Sequence, residues 1–248
     1  MQNRWFTILA LLPAVVVLAV TGLAHAAPEP ALVPEPDTWQ LDLELHGNPQ
    51  QIYIRLPGDS EGRRFWYLLY TITNNTGRDI EFYPQFDLYT DTFKLVHAGV
   101  RVPRAVFEAI QKRYDKTIPL LEPENMVTGR ILIGQDNARD SVAIFQEFDP
   151  NATGARIFIA GLSNETVTVT MPTPSNTTPA IENAADQSET GQNTVGPDNI
   201  RQDKTEKNTL GRNVLLRKTL MLEYQVPGDN LNPGEKVMLY RRRNWIMR

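Results

Sequence analysis

From residue 39 the chain alternates: Trp39, Leu41, Leu43 and Leu45 fall in one phase, and Gln40, Asp42, Glu44 and His46 in the other. That is the period of a strand with one wet face. Gly47, Asn48 and Pro49 bring turn chemistry, and Ile52, Ile54 and Leu56 resume the alternation, so the two segments are expected to form a hairpin. Residues 64–73 differ in carrying large apolar side chains in both phases: Phe65, Trp66, Tyr67, Leu68, Leu69, Tyr70 and Ile72. A central strand covered on both faces has this composition. Asn74, Asn75, Thr76 and Gly77 then form a turn signal, and a strand is expected over 79–89, interrupted by Pro84, which belongs at an edge or bulge. A shorter strand is expected over 93–96.

One helix stands out. Pro103 suits a first helical position, Val106, Phe107 and Ile110 share a face, and Gln111, Lys112 and Arg113 follow. Strand patterns return at 127–133, 141–148, 155–162 and 166–171, separated by clusters of Gly, Asn, Asp and Pro. From Pro172 to Asn213 the composition turns polar and loses every aromatic residue, so this segment is expected to be disordered for want of apolar area to offset chain entropy. Strands over 214–226 and 236–247 follow. Two strands do not stand alone, so they are expected to return to the main body, making 172–213 an insertion within one domain.

The expected fold class is therefore mostly β, an antiparallel β-sandwich with one short helix and a long disordered insertion. Residues 66–90, with Tyr70, Ile72, the Asn74-Asn75-Thr76-Gly77 turn and Ile80, resemble the paired strands of uncharacterised exported bacterial proteins that carry an immunoglobulin-like β-sandwich domain. The resemblance implies an immunoglobulin-like arrangement without the cysteine pair of antibody domains. It transfers no catalytic or binding residue.

The N-terminus adds a destination. Arg4, an apolar stretch over 5–20 and Ala24-His25-Ala26 make up the grammar of a secretory signal, with cleavage expected after Ala26. The alternative is an uncleaved anchor, because residues 6–23 are about long enough to cross a bilayer; membrane contact is expected only in that case. Residues 27–37, with Pro28, Pro30, Pro34 and Pro36, read as an extended spacer before a domain over 38–248. The expected location is periplasmic or extracellular.

Charge and cysteine narrow the function. The formal charge is −4, and losing Arg4 with the leader makes it one unit more negative, which does not suit a nucleic-acid binder. Cysteine is absent, so disulfides, thiolate catalysis, cysteine-ligated metals and a lipidated cysteine are excluded. Four Asn-x-Ser/Thr sites (Asn74, Asn151, Asn164, Asn176) read as turn chemistry.

Little catalytic chemistry is apparent. Past the leader the histidines are His46 and His97, and no Gly-x-Ser-x-Gly elbow occurs. The segment 134–140, with Asp136, Asn137 and Asp140, offers oxygens that suit calcium, but in no calcium-loop spacing and beside Arg139. Glu122 with Glu124, and Asp87 with Asp91, are acid pairs of the kind that glycoside hydrolysis needs. Trp66, Tyr67, Tyr70, Phe82, Tyr83, Phe86 and Tyr89 crowd together, chiefly as core, with Trp66 and Tyr83 the expected ligand contacts if any are exposed. Arg241, Arg242 and Arg243 form a basic cluster whose members cannot all share a strand face.

The expectation is thus an exported, non-enzymatic binding or structural module without a cofactor, its partner an envelope protein or polysaccharide. The alternative is a carbohydrate-binding protein or a carboxylate-dependent glycoside hydrolase.

Overall fold

The structure is a computed structural model that describes residues 28–31, 36–56, 58–171, 212–228 and 236–248. The segment expected to be a leader (1–26), and the expected insertion 172–213 except for its last two residues, lie outside the described residues. In chain order the first elements are β1 (Asp42–Leu45), β2 (Gln50–Ile54), β3 (Arg63–Thr73), β4 (Ile80–Phe82), β5 (Gln85–Thr90) and β6 (Leu95–His97). Helix α1 (Arg104–Tyr114), β7 (Glu122–Pro123), the short α2 (Glu124–Val127), β8 (Gly129–Ile131) and a 3-10 turn (Gln135–Asn137) come next. The rest are β9 (Arg139–Gln146), β10 (Gly154–Ala160), β11 (Thr166–Met171), β12 (Arg212–Gln225) and β13 (Leu239–Met247).

Strand β3 organises the first sheet because both of its phases are apolar. Trp66, Leu68, Tyr70 and Ile72 enter one core, and Phe65, Tyr67 and Leu69 enter another. One edge of β3 pairs with β1 and β2, and the other pairs with β9, beyond which β7 runs parallel. The second sheet has the order β6, β5, β10, β12 and β13. Phe86, Leu88, Ile157, Ile159, Leu220 and Leu222 from this sheet join the Trp66 phase of β3 in a single core between the sheets. The small β4–β8 ladder adds Ile80, Phe82 and Ile131 to the same core.

The second core is the outer face of the first sheet. Helix α1 covers it with Val106 and Ile110, packed with Phe65, Tyr67, Leu69, Val142 and Ile144. Each such buried side chain contributes about 1.5–3 kcal/mol by leaving water. A central strand apolar in both phases thus acquires a sheet on one side and a helix on the other.

Several expectations change in detail. The segments before and after Gly47-Asn48-Pro49 do not form a hairpin: Leu45 pairs with Tyr70 and Gln50 with Tyr67, so both run the same way along one edge of β3. Gly47, at φ +90, and the donorless Pro49 make a bulge here rather than a reversal. The outer side of that bulge is used by the returning C-terminal chain, where Met238 N donates to Pro49 O (2.9 Å) and Gln51 N to Lys236 O (2.7 Å). Pro84 does more than interrupt a strand, because β4 and β5 belong to different sheets. Pro103, at φ −65 and ψ 143, caps α1 one position before the helix. The single expected helix is joined by α2, which ends on Val127, the first residue of the expected 127–133 strand, and that strand is reduced to β8. The β7–β9 pair is parallel, so the sheets are not wholly antiparallel.

The C-terminal strands return to the body as expected. Within the second sheet β12 lies between β10 and β13, and Leu220, Leu222 and Tyr224 are buried. Strand β11 continues β10 along the same edge of β12, since Lys218 N donates to Glu165 O while Arg217 exchanges hydrogen bonds with Arg248 on the opposite edge. No described helix is long and apolar enough to cross a membrane.

Candidate functional site

A cavity of about 830 Å³ opens on the helix-covered face of the first sheet. Sites for small molecules commonly occupy about 300–1,000 Å³. Its floor is Val142 and Ile144 of β9, and one wall is Arg104, Phe107 and Gln111 of α1. The opposite wall is Pro123, Glu124, Asn125, Met126 and Thr128, and the loop containing Ala98, Gly99 and Val102 closes one end.

Local pairing fixes each wall. The loop after β6 is tied to both sheets: Ala98 N donates to Phe86 O and Gly99 N to Ile144 O, both at 2.9 Å. Gln146 Nε2 holds the Arg101 carbonyl at 3.0 Å, and Arg101 itself adopts φ 54, an uncommon conformation for a side chain of its size. Across the cavity, Glu122 pairs with Ser141 and Pro123 with Val142, and Ser141 Oγ donates to Glu122 O (3.0 Å). Gln111 Nε2 donates to Leu121 O at 3.0 Å, fastening α1 to the start of that wall.

These restraints separate two acids that are close in sequence. Glu122 is engaged by Arg139, whose Nε lies 2.9 Å from Oε2. Glu124 lines the cavity, and among the described residues no side-chain hydrogen bond or ion pair engages its carboxylate. Its Oε2 lies 3.5 Å from where a Cβ on Gly99 would stand, and Gly99 adopts φ +71. Burial pushes the Glu124 carboxyl up to about 7, because removal from water disfavours the charged form. Arg104, the other charged residue of the lining, is exposed and donates to Glu108 (2.9 Å).

Behind this wall, the Tyr70 hydroxyl is buried without a well-oriented hydrogen-bond partner. Its pKa is raised, first by burial, then opposed by the nearby Ser141 hydroxyl, and raised again by Glu124. A second polar group lies at the far side of α1, where the Tyr67 hydroxyl donates to Gln50 Oε1 (3.0 Å) and meets the Tyr114 hydroxyl (3.1 Å). Burial is the main reason that the Tyr67 pKa is also raised.

The expected ligand contacts are not brought together. Trp66 is 2 % exposed and stacks on Phe148 at 5.7 Å within the core, so its faces are not open to a ligand. Tyr83 is 63 % exposed on the turn between β4 and β5, its hydroxyl 3.2 Å from Glu81 Oε2. Tyr67, Tyr70, Phe82 and Phe86 are buried, so the crowded aromatics chiefly build the two cores.

The remaining candidates have structural partners. His46 Nε2 lies 2.5 Å from Thr71 Oγ1, and Thr71 donates to Asp140. On the outer face of the second sheet, Asp87 receives His97 Nδ1 (2.7 Å) and Arg248 Nη1 (3.2 Å), while the Arg248 guanidinium sits 4.4 Å from the Phe158 ring. Asp91 caps the backbone of Thr153 and Gly154, and its pKa is lowered chiefly by the Thr153 hydroxyl. In the segment considered for calcium, Arg139 turns to Glu122 and Asp140 to Thr71. No group of three or more metal-ligating side chains occurs among the described residues. Of the basic cluster, Arg242 pairs with Glu223 at 2.9 Å.

Sequence reasoning noted Glu124 as half of an acid pair and missed the cavity. The available signal was an acid between Pro123 and the apolar Met126 and Val127, opposite a helix whose Phe107 is only partly buried. Comparison with known proteins finds no family model, curated protein or solved structure that matches the chain.

Proposed function

We propose that the protein is an exported, non-enzymatic binding module built on an immunoglobulin-like β-sandwich, and that it holds a small ligand in the cavity between α1 and α2. The observation that carries this reading is the unengaged Glu124 carboxylate in a cavity otherwise walled mainly by apolar side chains. Glu124 is half-buried, and a charge partly withdrawn from water without a protein partner is costly, a cost that a ligand supplying the partner offsets. Hydrolysis of a glycoside calls for two carboxylates on either side of the bond, whereas Glu122 is held by Arg139 and is not part of the lining. The immunoglobulin-like assignment draws on two facing sheets with a shared core.

The test uses purified protein, a panel of small amines, alcohols, acids and sugars, and the variant Thr128→Trp, which enlarges an exposed residue of the lining. Saturable binding that Thr128→Trp abolishes, with no turnover of glycoside, ester or peptide substrates, is the expected result. Turnover that depends on Glu124 would replace this reading with an enzyme. Export is tested separately by N-terminal sequencing of secreted material, expected to begin at Ala27.

A further inference from the structure

We propose that the cavity takes a small organic ammonium ion, its N–H groups donating to the Glu124 carboxylate and its apolar body lying against Phe107, Met126, Val142 and Ile144. This rests on the reading of the cavity as a ligand site. The charge balance selects the sign. Within the lining, Glu124 supplies the negative charge and Arg104 the positive one, but Arg104 is turned to Glu108 at the exposed surface. An anion would meet an unneutralised carboxylate, and two of the lining's donors are already in use, Gln111 Nε2 on the Leu121 carbonyl and Thr128 Oγ1 on the Glu124 carbonyl, while the Asn125 amide is exposed and carries no charge to offset Glu124. A neutral alcohol would donate one hydrogen bond and leave the charge unneutralised. An ammonium supplies both the charge and several donors.

Among the described residues the surroundings add no competing cation. Tyr70 on β3 stands behind Glu124, Glu122 and Arg139 are paired with each other, and His97 at the start of the loop is turned to Asp87. Arg101 in that loop is exposed. The volume admits an alkyl or aryl body of several carbons, which the apolar floor and helix wall would take out of water.

Because burial holds the Glu124 carboxyl near neutrality, and the cation pairs with its ionised form, binding is linked to pH. The apparent affinity should rise about tenfold per pH unit below pH 7 and level off above it.

The experiment is calorimetric and NMR titration of the full exported chain with n-hexylammonium, n-hexanol and n-hexanoate, at about pH 5.5 and pH 8. The expected result is hexylammonium binding that is tighter than hexanol at pH 8, weaker at pH 5.5, and reduced at least tenfold by Glu124→Gln. Hexanol should be indifferent to that substitution, and hexanoate should bind most weakly. Phe107→Ala should weaken hexylammonium and hexanol alike, and thermal melts verify that both variants are folded. If hexanol binds as tightly as hexylammonium, or Glu124→Gln keeps its affinity for the ammonium, the cation assignment is overturned while the cavity remains a ligand site. If no probe of any charge shifts the resonances of cavity residues, the ligand-site reading falls and this inference with it.

Discussion

Replacing Glu124 with Gln should raise the stability of the folded protein at pH 8 and leave it little changed near pH 4. The carboxyl titrates near 4.5 in the unfolded chain and near 7 in the folded one, because the cavity withdraws it from water without giving it a partner. Below pH 4.5 it is protonated in both states, and folding meets no penalty. Between those values the unfolded chain releases the proton while the folded chain keeps it, so stability declines by about 1.4 kcal/mol per pH unit. Above pH 7 the loss is complete, amounting to about 3 kcal/mol as an upper bound and about 2 kcal/mol once water at the cavity mouth screens the charge. Gln has no such proton, and any difference in packing that it introduces is independent of pH. Asp91, Asp149 and Glu165, whose carboxyls are lowered, contribute the opposite slope, with stability lost as pH falls. Both proteins carry them, so they cancel in the comparison. Urea unfolding of the wild type and Glu124→Gln at about pH 4, 5.5, 7 and 8 provides the assay. The two stability curves should meet at low pH and separate towards pH 8; parallel curves would refute the argument that Glu124 is ionised at the expense of folding.

Other perturbations address the scaffold. Gly161→Ala should destabilise by about 2 kcal/mol or more in urea, because the residue adopts φ +88 and an added Cβ would stand 2.5 Å from the Tyr83 carbonyl oxygen. Asp87→Ala should lower stability by about 2 kcal/mol, since that buried carboxylate receives both His97 and Arg248; no change in the melting temperature would mean that the cluster is ornamental. Truncation after Gly211 should yield insoluble or molten protein, as it removes the strand that carries Leu220, Leu222 and Tyr224. A soluble truncation with a cooperative melt would contradict the placement of β12 within the second sheet.

The strands were legible wherever apolar periodicity alone decides the conformation. Residues 64–73 announced a strand covered on both faces, and β3 has a sheet on one side and α1 on the other. The strand expected over 214–226 is β12, and its Leu220, Leu222 and Tyr224 are buried. Pairing partners were less legible, because alternation fixes which face a residue takes and says nothing of which edge it meets. Gly47-Asn48-Pro49 has the chemistry of a reversal, yet the edge of β3 and the returning residues 236–238 hold it as a bulge. The parallel strand β7 was hidden for a related reason: Glu122 and Pro123 carry no strand pattern and are placed by Ser141, Arg139 and Gln111. The cavity depends on this placement. Aromatic crowding was a poor guide to it, since large rings fill cores more readily than they line open sites, and Trp66 is enclosed.

The central claim, that the protein binds a small ligand beside Glu124, is tested most directly by protein-observed NMR with a diverse fragment library. Binding fragments should perturb Gly99, Phe107, Gln111, Met126 and Thr128 together, and leave Tyr83 and the Asp87 cluster unmoved. Fragments that gather instead at Tyr83 or on the outer face of the second sheet, with the cavity silent, would contradict the account.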